Sequence, residues 1–252
     1  MIPQDAFTPS QLATLAAAYF VAALVKGTTG VGYSSTCLPI LTLAFGLKDA
    51  LPLVLIPSMA SNLTVMATTG GFVASVRRFW PMLLSAAVAV FAGLWTLTQM
   101  TGAHAAAVLG GVLLVYVGFA LSNAHFRLSE ARTRKLEPVI GAATGFINGL
   151  TGSQVMPLIP YLLSIGLPRD RFVQASNQSF TLSSIAMAIG LGATGLMKPA
   201  DLVVSALGVV LVALGVSLGQ RIGRHLAPQA FRAAVLVVLA VLGLGLIGRA
   251  LA

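Results

Sequence analysis

The sequence predicts an all-α polytopic membrane protein made of two inverted-topology repeats of about five helical segments each, with re-entrant or broken helices meeting near the midplane. Three observations predict it. Apolar residues make up 57% of the 252 and charged residues only 8%, whereas a soluble domain carries about 25% charged residues. Long apolar stretches alternate with short polar punctuation, and about 20 such residues cross a hydrocarbon core of roughly 30 Å. The order of Gly, Pro and Asn landmarks in the first half of the chain also recurs in the second.

Taking Gly, Pro and charge clusters as boundaries gives ten segments. The first, 10–27, follows Met1 to Gln11, which contains Asp5 and no Lys or Arg. That stretch lacks the positive n-region of a cleavable signal peptide, so the segment is expected to be retained. A Gly-rich turn leads into segment 33–46, which is too short to span comfortably. Segments 50–70, 80–99 and 104–122 complete the first half. A polar connector, Ser122 to Pro138, carries Arg127, Arg132, Arg134, Lys135, Glu130 and Glu137. Segments 138–150 and 153–166 are again short and joined by a Gly-rich turn, and 172–193, 200–221 and 230–250 follow. The expected organisation is a first transmembrane repeat over 1–122, a cytoplasmic connector over 123–137 and a second repeat over 138–252.

The repeat is carried by particular residues. Lys26-Gly27-Thr28-Thr29-Gly30 leads through Pro39 to Phe45-Gly46-Leu47 and then Ala60-Ser61-Asn62. Asn148-Gly149-Leu150-Thr151-Gly152 leads through Pro160 to Ile165-Gly166-Leu167 and then Ala175-Ser176-Asn177. An odd number of segments per half makes the second half enter the membrane from the opposite side.

The net charge of +9 does not point to nucleic acid, because no basic face is interleaved with aromatics. Orientation explains it. An outside N-terminus puts Arg77, Arg78, Arg127, Arg132, Arg134, Lys135, Arg169, Arg171, Arg221, Arg224 and Arg232 on the inner side and leaves Lys48, Lys198 and Arg249 outside. The positive-inside rule therefore favours a bacterial inner-membrane protein with both termini in the periplasm. Charge does not decide whether the short pairs are hairpins or full spans. Hairpins are favoured in both halves.

On that reading the turns Lys26 to Tyr33 and Asn148 to Gln154 reach toward the midplane, where irregular backbone must line a cavity or be buried in protein. Glycines at 27, 30, 32, 149 and 152 permit close approach, and the helices starting after each turn direct free N–H groups inward, an arrangement suited to an anion. Neutral donors come from the hydroxyls of Thr28, Thr29, Ser34, Thr151 and Ser153 and the amides of Asn148 and Gln154. Asn62 and Asn177 would complete the site from the next helices. The candidate substrate-binding set is thus Lys26, Gly27, Thr28, Thr29, Gly30, Gly32, Tyr33, Ser34, Asn62, Asn148, Gly149, Thr151, Gly152, Ser153, Gln154 and Asn177. Ser, Thr and Asn also serve as ordinary interhelical glue. Two readings of Lys26 stay open: a fixed charge that attracts the anion, or a side chain that reaches water from a shallower turn.

All six carboxylates, Asp5, Asp49, Glu130, Glu137, Asp170 and Asp201, fall at expected loops, which argues against a buried-carboxylate proton relay. His104, His125 and His225 are far apart and without partners in ligand spacing, so neither a metal nor a cofactor is expected. A serine hydrolase would need a deep histidine, and none is placed so. Cys37 alone forms no intrachain disulfide and reads as a small buried apolar residue. The glycines at 141, 145 and 149, and at 215, 219 and 223, recur every four residues as helix-packing positions. Trp80 and Trp95 read as interface or packing aromatics.

The two turn motifs, each Gly-x-x-Gly followed by Pro and then Gly-Leu, together with Gly215-x-x-x-Gly219, resemble the TauE/SafE sulfite exporter family over essentially the whole chain. Lys26 departs from the family pattern, which has a small or apolar residue there, and the run of glycines that often follows the turn is missing. The resemblance implies a secondary transporter, not an enzyme, that moves sulfite, an organosulfonate or a related sulfur oxyanion, often outward, by alternating access. The residues themselves reach "small anion", which leaves a carboxylate transporter or an anion channel as alternatives. The expected partners are that anion and membrane lipid.

Overall fold

The computed structural model describes residues 7–122, 130–224 and 228–251. Asp5, His125, Arg127 and His225 lie outside the described residues, as do the side chains of Glu130, Arg132 and Arg232. Among the described residues ten helices run in order: α1 (Pro9–Thr29), α2 (Tyr33–Phe45), α3 (Leu47–Thr69), α4 (Phe72–Gln99), α5 (Gly102–Leu121), α6 (Glu130–Thr151), α7 (Leu158–Ser164), α8 (Arg169–Ala193), α9 (Pro199–Gly223) and α10 (Pro228–Leu251). Six of them contain stretches long and apolar enough to cross a membrane.

Polarity is arranged for lipid. Trp80, Leu84, Val88, Phe91 and Trp95 form an exposed stripe at helical spacing along α4, and Val203, Leu207, Val210, Leu214 and Leu218 form another along α9. Inside, Ser61, Asn62, Thr144, Asn148, Ser176 and Asn177 are buried. In lipid the outward face must be apolar, while the polar side chains find partners only within the bundle.

The boundaries differ from expectation where charge was taken for loop. α4 begins at Phe72 rather than near 80, and α6 at Glu130 rather than 138, because Glu, Arg, Lys and Leu are good helix formers. The segment expected to be too short at 138–150 is thus the end of a helix of 22 residues. Glu137, expected in a loop, sits in α6 with 2% exposure and pairs with Arg78 of α4. Likewise α1 has 21 residues. Only the return arms are short, at 13 residues for α2 and 7 for α7.

Both arms do turn back. The Phe7 ring, just before α1, lies 6.2 Å from that of Phe45 at the end of α2. The Tyr161 hydroxyl of α7 donates to the Thr133 carbonyl near the start of α6 at 2.9 Å. The bundle end that holds Phe7 and Phe45 also holds Lys48, whose Nζ donates to the Met100 carbonyl at 2.8 Å, and Arg249, which donates to the Leu43 carbonyl. Arg78 and Glu137 mark the other end.

Packing is reciprocal. α1 lies on α9 as α6 lies on α4; α3 packs on α8 and α9 as α8 packs on α3 and α4; α5 and α10 pack on each other. Exchanging each of α1–α5 with its counterpart in α6–α10 leaves these pairings unchanged.

Candidate functional site

The two Gly-rich turns are built alike. α1 ends where Gly30 takes a left-handed backbone, φ 82°, and its N–H donates to the Lys26 carbonyl at 2.8 Å. α6 ends where Gly152 does the same, φ 73°, its N–H donating to the Asn148 carbonyl at 2.6 Å. Only glycine adopts that backbone without strain. The Thr29 hydroxyl donates to the Val25 carbonyl at 2.9 Å and accepts from the Val31 N–H at 3.2 Å. Thr151 repeats this with Ile147 at 2.6 Å and Ser153 at 3.2 Å. These matches set the register: Lys26 in α1 stands where Asn148 stands in α6.

Gly27 and Gly149 also correspond. A methyl added to Gly27 would overlap the Val216 carbonyl, beside Gly219 and Gln220 of α9. One added to Gly149 would overlap the Val90 carbonyl, beside Gly93 and Leu94 of α4. Both candidate site glycines therefore occupy helix crossings, which explains why each is the smallest residue.

Lys26 lies in the last turn of α1, 1% exposed. Its Nζ donates to Asn62 Oδ1 of α3 at 2.6 Å and to Asn177 Oδ1 of α8, and stands 5.5 Å from the centre of the Phe180 ring. Asn177 is fixed from behind: its Nδ2 donates to the Gly30 carbonyl at 3.0 Å and the Val173 carbonyl at 2.7 Å. The reading in which Lys26 reaches water from its turn does not hold, because the helix continues past it and α3 and α8 close over it. Among the described residues, Glu137 pairs with Arg78 and Asp49 with Lys198 at the ends of the bundle, and neither carboxylate reaches Lys26.

Around this centre lie buried polar atoms without partners: Asn62 Nδ2, the Tyr33 hydroxyl, Asn148 Nδ2, the Ser153 hydroxyl and Gln154 Oε1. Ser34 and Ser58 share a hydrogen bond of 3.0 Å, and Gln154 Nε2 reaches the Phe180 carbonyl at 3.4 Å. Two small cavities meet at Ser34, Ser58 and Gln154. One, of about 10 Å³, adjoins Lys26 and Asn62; the other, of about 20 Å³, adjoins Asn148 and Gly152. Each has room for about one water, so the polar centre is closed around Lys26.

A larger cavity of about 490 Å³ stands beside it, toward Arg169 and Gly223. Thr28, Thr29 and Thr36 give it hydroxyls, Val25, Ile159 and Leu239 give it apolar wall, and Gly32, Ser35 and Val155 separate it from the Lys26 cavity. The Thr28 hydroxyl is turned back to the Leu24 carbonyl.

The sequence-predicted residues thus divide. Lys26, Asn62, Asn177, Tyr33, Ser34 and Gln154 converge; Asn148 lines the neighbouring cavity, and Ser153 is buried in the second turn; Thr29 and Thr151 cap helices, and Gly27 and Gly149 pack helices. The expected free helix N-terminus forms directly after the first turn, where α2 starts at Tyr33 with no side-chain cap; α7 also starts without one, at Leu158. After the second, residues 152–157 run without helix before the short α7. Ser58, Phe180 and Arg169 were not anticipated. Ser58 lies four residues before Asn62 and Phe180 three after Asn177, spacings that share a helix face, so the two asparagines could have pointed to them.

A family model described as sulfite exporter TauE/SafE matches residues 15–246. No curated protein and no solved structure matches the chain.

Proposed function

We infer that this chain, which belongs to the sulfite exporter TauE/SafE family, moves sulfite or a small organosulfonate outward by alternating access around Lys26. One observation carries the reading: a fully buried ammonium is held by neutral amide oxygens from both halves and, among the described residues, has no carboxylate beside it. A buried charge without a counter-ion is costly, and ionisable groups at membrane depth mark transport sites. An oxyanion would supply the missing charge, and the unpartnered donors of Asn62, Tyr33 and Asn148 would supply neutral hydrogen bonds to its oxygens.

Alternating access is supported by the closed centre, whose cavities admit about one water; an open anion channel would need a continuous polar path. It is supported also by the reciprocal packing of α1–α5 and α6–α10, the arrangement expected of inverted repeats that rock about a central site. The repeats run over residues 1–122 and 138–252, with α6 extending its half back to Glu130. Both termini lie in the periplasm of a bacterial inner membrane, since the bundle end with Arg77, Arg78, Arg169, Arg171, Arg221 and Arg224 carries more positive charge than that with Lys48, Lys198 and Arg249. An inside-negative potential then favours exit of the anion by about 2.3 kcal/mol per charge per 100 mV.

The test is thermal stability of the purified protein in detergent with sulfite, sulfoacetate, taurine, sulfate, thiosulfate, lactate and chloride, in wild type and Lys26→Ala. A ligand that binds the folded state raises its melting temperature. A rise with sulfur oxyanions that is lost in the variant is expected. A rise with lactate alone sinks the sulfur assignment.

A further inference from the structure

We propose that Asn62 Oδ1 and Asn177 Oδ1 form a monovalent-cation site in which the Lys26 ammonium is a built-in occupant, standing where another transporter would carry a free coupling cation. The two oxygens come from α3 and α8, at the corresponding Ala60-Ser61-Asn62 and Ala175-Ser176-Asn177 positions, and they point at one atom. Both amides are at most 1% exposed. The Phe180 ring lies against the same atom at 5.5 Å, and an aromatic face attracts a cation.

The donor set has the chemistry of a single positive charge. Amide oxygens are neutral acceptors, and lysine offers three donors and no acceptor. A divalent ion would call for carboxylates, and among the described residues none is bonded to Lys26, Asn62 or Asn177; Glu137 and Asp49 pair with Arg78 and Lys198 at the bundle ends. Asn177 cannot turn its oxygen away without breaking two hydrogen bonds of its Nδ2, to Gly30 and Val173. The site is two-sided but its occupant is not. The position equivalent to Lys26 in the second half is Asn148, whose Nδ2 has no partner, so one half alone supplies the charge. A tethered cation does not leave with the substrate. Transport by the wild-type chain therefore needs no sodium.

This inference rests on the reading of Lys26 as part of the transport centre, but its test needs no transported anion. Melting temperatures of the full chain in detergent are compared in ethylammonium chloride and choline chloride at equal concentration. Lys26→Ala removes three methylenes and the ammonium, leaving a space that ethylammonium fits and choline does not. The expected result is a melting temperature at least about 3 °C higher in ethylammonium for Lys26→Ala, with no such difference in wild type or in Lys26→Met. Equal temperatures in the two salts for Lys26→Ala, or the same preference in wild type, overturn the proposal. Should Lys26→Ala fail to fold, wild type decides: sodium chloride is expected to match choline chloride, and specific stabilisation by sodium reveals a free cation site and overturns it. A missing sulfite response with ethylammonium rescue intact would count against the substrate and leave the cation site standing.

Discussion

Lys26 and Asn62 meet at 2.6 Å although 36 positions separate them along the chain, and the contact holds an ammonium inside a membrane bundle with no counter-ion among the described residues. A pair of this kind serves binding more than stability, because charges removed from water regain little from neutral partners. Lys26→Met is accordingly expected to cut anion flux into proteoliposomes at least about 10-fold, the loss of one charge-assisted hydrogen bond. Its melting temperature is expected to equal or exceed that of wild type. A variant that unfolds while its residual folded fraction transports normally would show Lys26 to be structural.

The two asparagines that receive Lys26 are not equivalent in stability. Asn177 makes two further hydrogen bonds, to Gly30 and Val173, whereas Asn62 Nδ2 makes none. Asn177→Ala is expected to cost about 2 kcal/mol, since it strands the buried Gly30 carbonyl and removes an acceptor of Lys26, and Asn62→Ala about 1 kcal/mol. Denaturation in mixed detergent measures the order, and an equal loss at both positions contradicts it.

Gly27→Ala and Gly149→Ala each drive a methyl into a facing backbone carbonyl. Helices that must part lose about 1 to 3 kcal/mol, so both variants are expected to melt earlier than wild type. Gly118→Ala meets nothing within 4 Å and is expected to be neutral or slightly stabilising, as alanine is the better helix former. If Gly118→Ala falls as far as the other two, the crossings are not the cause.

Glu137, buried to 2% exposure, accepts from Arg78 and lies 3.5 Å from the Tyr161 hydroxyl. Glu137→Ala leaves Arg78 without its partner and is expected to cost about 2 to 3 kcal/mol, less than a fully buried pair because Arg78 is partly exposed. The double variant Arg78→Met with Glu137→Leu should recover most of that loss, and thermal unfolding of all three proteins closes the cycle.

Topology is open to labelling once Cys37, which is buried, is replaced by alanine. Lys198→Cys and Arg171→Cys place thiols at exposed positions on opposite ends of the bundle. In intact cells whose outer membrane has been removed, a membrane-impermeant maleimide is expected to label position 198 and to spare 171 until the cells are lysed. The reverse pattern would invert the orientation.

The sequence by itself determined the membrane class, the ten helices and the two related turns. Each of these rests on local chemistry: runs of apolar residues long enough for lipid, and Gly30 and Gly152 where a helix must end in a left-handed backbone. Charge misled locally. Glu130 to Glu137 reads as a polar connector, yet those residues are good helix formers and continue α6. Tertiary structure alone decided which polar residues meet. Lys26 reaches Asn177 across 151 positions, while Gly27 beside it is committed to α9. No spacing in the sequence gives the depth of a turn or the neighbour of a helix face, because these follow from how ten helices pack. The same packing turns a lysine that could have reached water into the buried charge of the centre.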